Sequence, residues 1–282
     1  MTGWTGVEPT FNARFDCTYR HYKYFFMANG IGMDTGILDV ELMKSAAASF
    51  VGEHDFRNFC YIDLVNVESF VRTIHEVYIE PVGTPSPFSA MYCLNVKGSG
   101  FLWHQVRCMV AILFAVGRHE ESPDVIPKLL DVQAYPGKPP YVIADEKPLV
   151  LYDCGFEPAL QFRTSSASLS GVWTAYSRMW SEACIRSTMI SAILGDLTKY
   201  PVDNGTSLLL PEREKKRKAF EATHKRKSVL ESKDFVTLEQ RLAEMGPTKK
   251  RKYEAKQQKR KYFHESQQNK EEDPEDKDKE LK

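Results

Sequence analysis

The stretch from Gly98 to Arg118, GSGFLWHQVRCMVAILFAVGR, constrains the fold of this chain more than any other. It follows a strand-like segment and carries an uninterrupted apolar run from Cys108 to Gly117. That run is too short to cross a bilayer, and it leaves almost no polar face for water. It therefore reads as a helix over 101–117, packed against a sheet and stopped at Gly117. His104 and Arg107 are three residues apart, which makes them neighbours on a helix. A guanidinium among Val106, Met109, Val110 and Leu113 has two readings. It lies at a cleft rim facing a carboxylate or phosphate, or it forms an ion pair inside the fold. His104 by itself is a weak signal, since most such histidines are simply hydrogen-bonded.

The flanking segments supply the sheet. Residues 11–26, FNARFDCTYRHYKYFF, alternate. Phe11, Ala13, Phe15, Cys17 and Tyr19 fall on an expected buried face, and Arg14, Asp16, Thr18, Arg20, Tyr22 and Tyr24 on a polar, aromatic one. His21 and Lys23 lie opposite Arg20, Tyr22 and Tyr24. Tyrosines and an arginine on an exposed sheet face suit base stacking and phosphate clamping, although an ordinary strand whose tyrosines cap the core gives the same pattern. Asp39 is placed to cap a helix reaching about Phe50, with Val40, Met43, Ala47 and Phe50 inward. Gly52 closes it, and 52–60 reads as a polar loop with aromatic anchors. Residues 72–82 and 89–97 form an expected antiparallel pair across GTPSP. A short helix at 123–132, a PGKPP loop and a strand at 148–156 follow. A long helix over 168–194 carries Trp173, Tyr176, Met179, Trp180, Ala183 and Ile190. The fold class is α+β, an antiparallel sheet with helices packed on it.

The zero net charge hides a split. Residues 1–210 hold 16 Lys+Arg against 22 Asp+Glu, and residues 211–282 hold 22 against 16. The expected division is a domain over 1–198 and a charged tail over 199–282, without stable structure or only partly helical when free. KKRK occurs at 215–218 and 249–252, a pattern suited to nuclear import or to a nucleic-acid arm. The six cysteines form no C-x-x-C pair and no zinc spacing, so buried reduced thiols are expected, with no metal. Met1 leads into TGWTGVEPT, which is neither basic nor apolar, so no signal peptide is visible and no membrane association is expected.

Five segments together, 11–26, FVGEHDFRNFC (50–60), RTIHEVYIE (72–80), KGSGFLWHQVRCMVAILFAVGR (97–118) and KPLVLYDCGFE (147–157), resemble the TruA-type tRNA pseudouridine synthases. The likeness is strongest to the eukaryotic branch that modifies positions 38 and 39 of the tRNA anticodon arm. It runs nearly unbroken from Glu8 to Glu157, with a fainter echo through 168–194. The R-x-Y-x-Y strand followed by G-x-x-F-L-x-H-x-V-R is its most specific part. The resemblance implies a fold of two ferredoxin-like halves sharing a sheet. It also implies isomerisation of uridine to pseudouridine without cofactor or metal, on a nucleotide flipped from its stem. It makes Tyr22 the active-site tyrosine that stacks on the base. Arg107 becomes the guanidinium that keeps a catalytic aspartate ionised. Arg14, Arg20, Lys23, Tyr24 and His104 are expected to bind RNA. The family's aspartate belongs to an R-T-D-x-G-V motif upstream of the tyrosine strand, and no such motif occurs here. The chain therefore resembles the carboxy-terminal half of the fold, and is expected to be inactive alone. A non-catalytic RNA-binding or dimer-partner role is the alternative, through a homodimer or pairing with a full-length subunit. Residence in nucleus, cytoplasm or both is expected.

Overall fold

Two runs rich in valine, isoleucine, tyrosine and cysteine set up the centre of the sheet: β3 (Val71–Val82) and β4 (Met91–Gly98), paired antiparallel as expected. The connecting GTPSP turn lies almost wholly outside the described residues, which in this computed structural model are 3–28, 38–83, 90–197, 199–200, 228–232 and 234–271. Before them come β1 (Cys17–Met27), α1 (Val40–Ala47) and β2 (Gly52–Asp55). After them come α2 (Gln105–Gly117), α3 (Val125–Leu130), β5 (Gly137–Lys138), β6 (Leu149–Phe156) and α4 (Ser166–Leu197).

The main sheet has the order β2-β3-β4-β1-β6, with every adjacent pair antiparallel. Without the short edge strand β2, the succession β1-α1-β3-β4-α2-β6 is the ferredoxin-like βαββαβ unit that the resemblance implies. Helices α1 and α2 both cover one face. Asp39 caps α1 by accepting from the Leu42 N–H at 3.0 Å, and Val40, Met43, Ala47 and Phe50 are buried as expected. The two helices meet at Gly117, where an added Cβ would lie 2.6 Å from Met43 Sδ. Here the glycine serves close approach as well as termination.

Several expectations are corrected. The segment 52–60 is no loop, because Gly52–Asp55 pairs with β3 and Arg57–Phe59 forms a 3-10 turn that buries Phe56 and Phe59 completely. β1 starts at Cys17, and residues 13–15 form a turn in which Phe15 is 78% exposed. The faces of β1 are also reversed. Tyr24 and Phe26 are core residues on the helix-bearing side, and Tyr22 packs against that core. The assignment rested on Phe11, Ala13 and Phe15, which precede the strand; against β4 the register of β1 is unbroken from Arg20 to Met27, and its even residues face the helices. The odd residues face the open side of the sheet. There Lys97 lies over the Tyr19 ring at 4.0 Å, and Lys23 over Tyr152 at 4.1 Å.

The long helix forms, one turn longer than expected, but it does not pack on the sheet. None of its described side chains is buried. The tail also differs from expectation. Residues 201–227, with the first KKRK run, and 272–282 lie outside the described residues. Between them β7 (Val236–Thr237) pairs with β5, and α5 (Leu238–Ala243) and α6 (Pro247–Glu271) follow. Val229, Leu230 and Leu238 supply the apolar anchors that composition alone hid, packing against the core. Cys17, Cys60, Cys93 and Cys108 are buried, and Cys154 and Cys184 are partly so; all six are free. Among the described residues no helix is long and apolar enough to cross a membrane.

Candidate active-site region

The layer between β1 and α2 holds the two residues that the resemblance singles out. Tyr22 sits mid-sheet, opposite Val96 of β4 and Leu151 of β6. Its ring meets Phe101 edge-on at 5.0 Å. Burial raises its phenol pKa, partly offset by Arg20, so the hydroxyl stays protonated at neutral pH. Arg107 lies in the first turn of α2, with its side chain 14% exposed. Its Nε donates to the Ala144 carbonyl at 2.7 Å and its Nη2 pairs with Glu146 at 2.9 Å. The Glu146 side chain is 69% exposed, so one face of this pair opens to solvent. Of the two readings of Arg107, the ion pair is present, with its carboxylate at the surface.

The loop that presents Ala144 and Glu146 is clamped from behind. Tyr141 donates to the Asn58 carbonyl at 2.6 Å. Lys138 donates to the Cys60 carbonyl at 3.0 Å and lies 3.4 Å from Cys108 Sγ, next to Arg107 in sequence. Burial holds the Tyr141 phenol well above its usual pKa and pushes the Cys60 thiol up to about 12, so both act as neutral packing groups. No sequence motif pointed to Glu146, Ala144 or this clamp. They lie in a loop whose role depends on long-range packing.

Tyr24 does not face solvent. It is 3% exposed, set edge-on to Phe114 at 6.1 Å. Burial raises its pKa to about 12, against a lowering effect of Arg107. An RNA contact is closed to it without unfolding the sheet. Tyr24 and Phe26 both meet Phe114, so α2, which carries Arg107 in its first turn, lies over the same face of β1 as Tyr22. Arg20 is used as a brace. Its guanidinium donates to the Ser99 carbonyl at 3.1 Å and to the carbonyl of Arg14, tying the 12–16 turn to the end of β4. Arg14 itself is exposed, 5.8 Å from the Phe15 ring. Lys23 is on the opposite face from Tyr22, 3.8 Å from Glu80. A shallow groove of about 520 Å³ lined by Tyr19, His75 and Lys97 lies on that opposite face too.

His104 is not a helical neighbour of Arg107. It precedes α2 in a left-handed conformation, φ 62°, with no side-chain cap. Its ring lies 4.7 Å from that of Trp103, which in turn meets Tyr61 at 4.4 Å. This aromatic cluster with a 55% exposed indole was missed in the sequence, although the adjacent Trp and His in LWHQ signal it. Burial first, then Arg107 and Lys138, lower the His104 pKa, leaving the ring neutral at pH 7. Among the described residues no group of three or more His, Cys, Asp or Glu side chains could hold a metal.

Comparison with known proteins bears on this arrangement. The family model described as tRNA pseudouridine synthase matches residues 46–157. A probable tRNA pseudouridine synthase of Caenorhabditis elegans is 41% identical over 202 residues, covering 69% of this chain and 48% of that protein. The human tRNA pseudouridine(38/39) synthase is 39% identical over 213 residues, 73% of this chain and 42% of its own length. The Saccharomyces cerevisiae protein of the same name is 43% identical over 175 residues, 57% and 37% respectively. The chain thus spans less than half the length of these relatives. Bacterial proteins named tRNA pseudouridine synthase A match at 34–36%. The motif-level likeness therefore holds, and the chain carries a tRNA pseudouridine synthase domain of the TruA type.

Proposed function

We propose that this chain contributes the Tyr22 and Arg107 side of a tRNA pseudouridine synthase site acting on the anticodon arm at positions 38 and 39. The observation that carries this is the setting of Arg107. Its guanidinium is largely withdrawn from water and fixed by Ala144, on the helix that covers the Tyr22 face of β1, while its carboxylate partner Glu146 is exposed. A guanidinium so held favours an ionised carboxylate brought to it. In the reaction the bond from ribose to uracil N1 breaks, the base turns, and a bond from ribose to C5 forms, with loss of the C5 proton and uptake of a proton at N1. In this reading Tyr22 stacks on the turned base. The aspartate of an R-T-D-x-G-V segment is not among these residues, so the chain alone is expected to be inactive.

The test is pseudouridine mapping by carbodiimide-blocked primer extension on unmodified tRNA. No product is expected from the chain alone. Addition of a family polypeptide carrying the R-T-D-x-G-V segment is expected to give product, and Arg107→Ala to remove it. Product at 38 or 39 from the chain alone overturns the inactivity. Undiminished product with Arg107→Ala overturns the site. A dimer-partner role has one observation in its favour. Leu169, Trp173, Tyr176 and Trp180 of α4 follow each other at the four-three spacing of a coiled-coil seam and are all exposed. A homodimer or pairing with a full-length subunit along α4 is checked by sedimentation of the chain with and without Trp180→Ala. Residence in nucleus, cytoplasm or both rests on the KKRK runs and is checked with a fluorescent fusion.

A further inference from the structure

The helix α6 begins PTKKRKYEAKQQKRKYF, with eight Lys or Arg from Lys249 to Lys261 and Glu254 as the single acid between them. It is fixed to the domain. Glu121 accepts from Ser228 Oγ at 2.7 Å and from the Val229 N–H at 2.6 Å, which brings the tail back to the body. The β5–β7 pairing and the Thr237–Gln240 capping box carry it onward into α5 and α6. Arg260 then pairs with Glu68, and Lys256 donates to Asn66 at 3.0 Å. Tyr253 and Arg260, seven residues apart, are the half-covered positions between Pro247 and Phe263; the others are exposed. The docked stripe thus uses two of the cations. Lys249, Lys250, Arg251, Lys252, Lys259 and Lys261 stay exposed and make no ion pair among the described residues.

We propose that α6 is a preformed phosphate-tracking surface that binds the sugar-phosphate backbone of the tRNA next to the candidate site. This rests on the tRNA reading above and adds a binding surface to it. A cationic helix presents several ammonium groups at once and releases several counterions on contact with a polyanion. A receptor that takes an extended basic peptide would have to unwind it. Location also favours RNA. The anchoring residues Asn66 and Glu68 belong to the loop that starts at Tyr61, and Tyr61 packs on Trp103 just ahead of α2. The loop that anchors α6 is thus the one whose first residue is bound to Trp103, two residues ahead of α2.

The test uses the full chain and a fluorescent tRNA transcript, with binding followed by anisotropy between about 50 and 200 mM salt. The quadruple variant Lys250→Gln, Arg251→Gln, Lys252→Gln and Lys259→Gln touches no packed group. It is expected to weaken binding by at least about tenfold at the upper salt and to lower the slope of log affinity against log salt by about 3. A control with equal charge removal, Arg163→Gln, Arg178→Gln, Arg186→Gln and Lys199→Gln, is expected to change the slope by less than about 1. An unchanged slope in the α6 variant, an equal loss in the control, or no binding by the parent chain overturns the proposal. An α6 variant that loses only an import receptor overturns it as well. Binding is read without any isomerisation, so a failed activity assay leaves this outcome distinct.

Discussion

Helices α2 and α4 are both rich in apolar side chains, yet their fates are opposite. In α2 eleven of thirteen residues are buried, because the helix lies over the sheet and Met109, Ile112, Leu113 and Val116 have strand and helix neighbours to meet. In α4 no described side chain is buried, and Trp173 and Trp180 are 74% and 70% exposed. Apolar content says that a helix is to be covered; it does not say by what. An exposed apolar surface of this extent is uncommon on a monomeric soluble protein. Leu113→Ala is therefore expected to cost about 2–5 kcal/mol in urea unfolding, from lost burial and a cavity. Trp180→Ala in dilute chain is expected to change stability by no more than about 0.5 kcal/mol. Comparable losses from the two would mean that α4 is covered within this chain.

The same substitution in each helix sharpens the contrast. Gly117→Ala in α2 places a methyl group 2.6 Å from Met43 Sδ, where α1 and α2 touch. Overpacking of this kind costs about 1–3 kcal/mol. Gly171 in α4 has nothing within 4 Å of an added Cβ. There alanine improves helix propensity and is expected to stabilise by about 0.5–1 kcal/mol. The pair is read by thermal or urea unfolding, and the opposite signs are the result to look for. A loss at Gly171 would place a partner against that side of α4.

This contrast also explains what the sequence could disclose. Periodicity finds an element whenever local pattern and tertiary cover agree, and so β3, β4, β6 and the Asp39-capped α1 were legible. It fails where residues outside a strand are counted into its pattern. Tyr24 falls on the face read as polar because Phe11, Ala13 and Phe15 are counted with β1, yet it is in the core. It fails again where a few apolar anchors sit in charged sequence. Val229, Leu230 and Leu238 draw 228–271 into structure although the composition is that of solvated chain. Of the site, Tyr22 and Arg107 were recoverable from motif alone. Glu146, Ala144 and the Tyr141–Asn58 clamp were not, since their roles come from contacts spanning 37 to 83 residues of sequence.

The starts of the two helices differ as much as their faces, and this sets the smallest effect. α4 opens with Ser165 Oγ accepting from the Ser168 N–H at 3.1 Å, an ordinary cap. α2 opens from His104, left-handed and without a side-chain cap, its pKa lowered by burial and by Arg107 and Lys138. Because the folded pKa lies below the ordinary value of 6.5, the unfolded chain takes up the proton first as pH falls. Stability is therefore expected to decline as pH drops below about 6.5 and to level off once pH passes the folded value. The His104 ring signal in proton NMR is expected to titrate below 6.5, and Arg107→Leu to move the midpoint up without restoring it, since burial is the larger cause. His104→Asn, which tolerates the left-handed conformation, is expected to remove this part of the pH dependence while leaving α2 intact. A midpoint at or above 6.5 in the folded chain would mean that His104 is not packed against the start of α2. It would then take no part in the neutral, partly dried surroundings that hold Arg107.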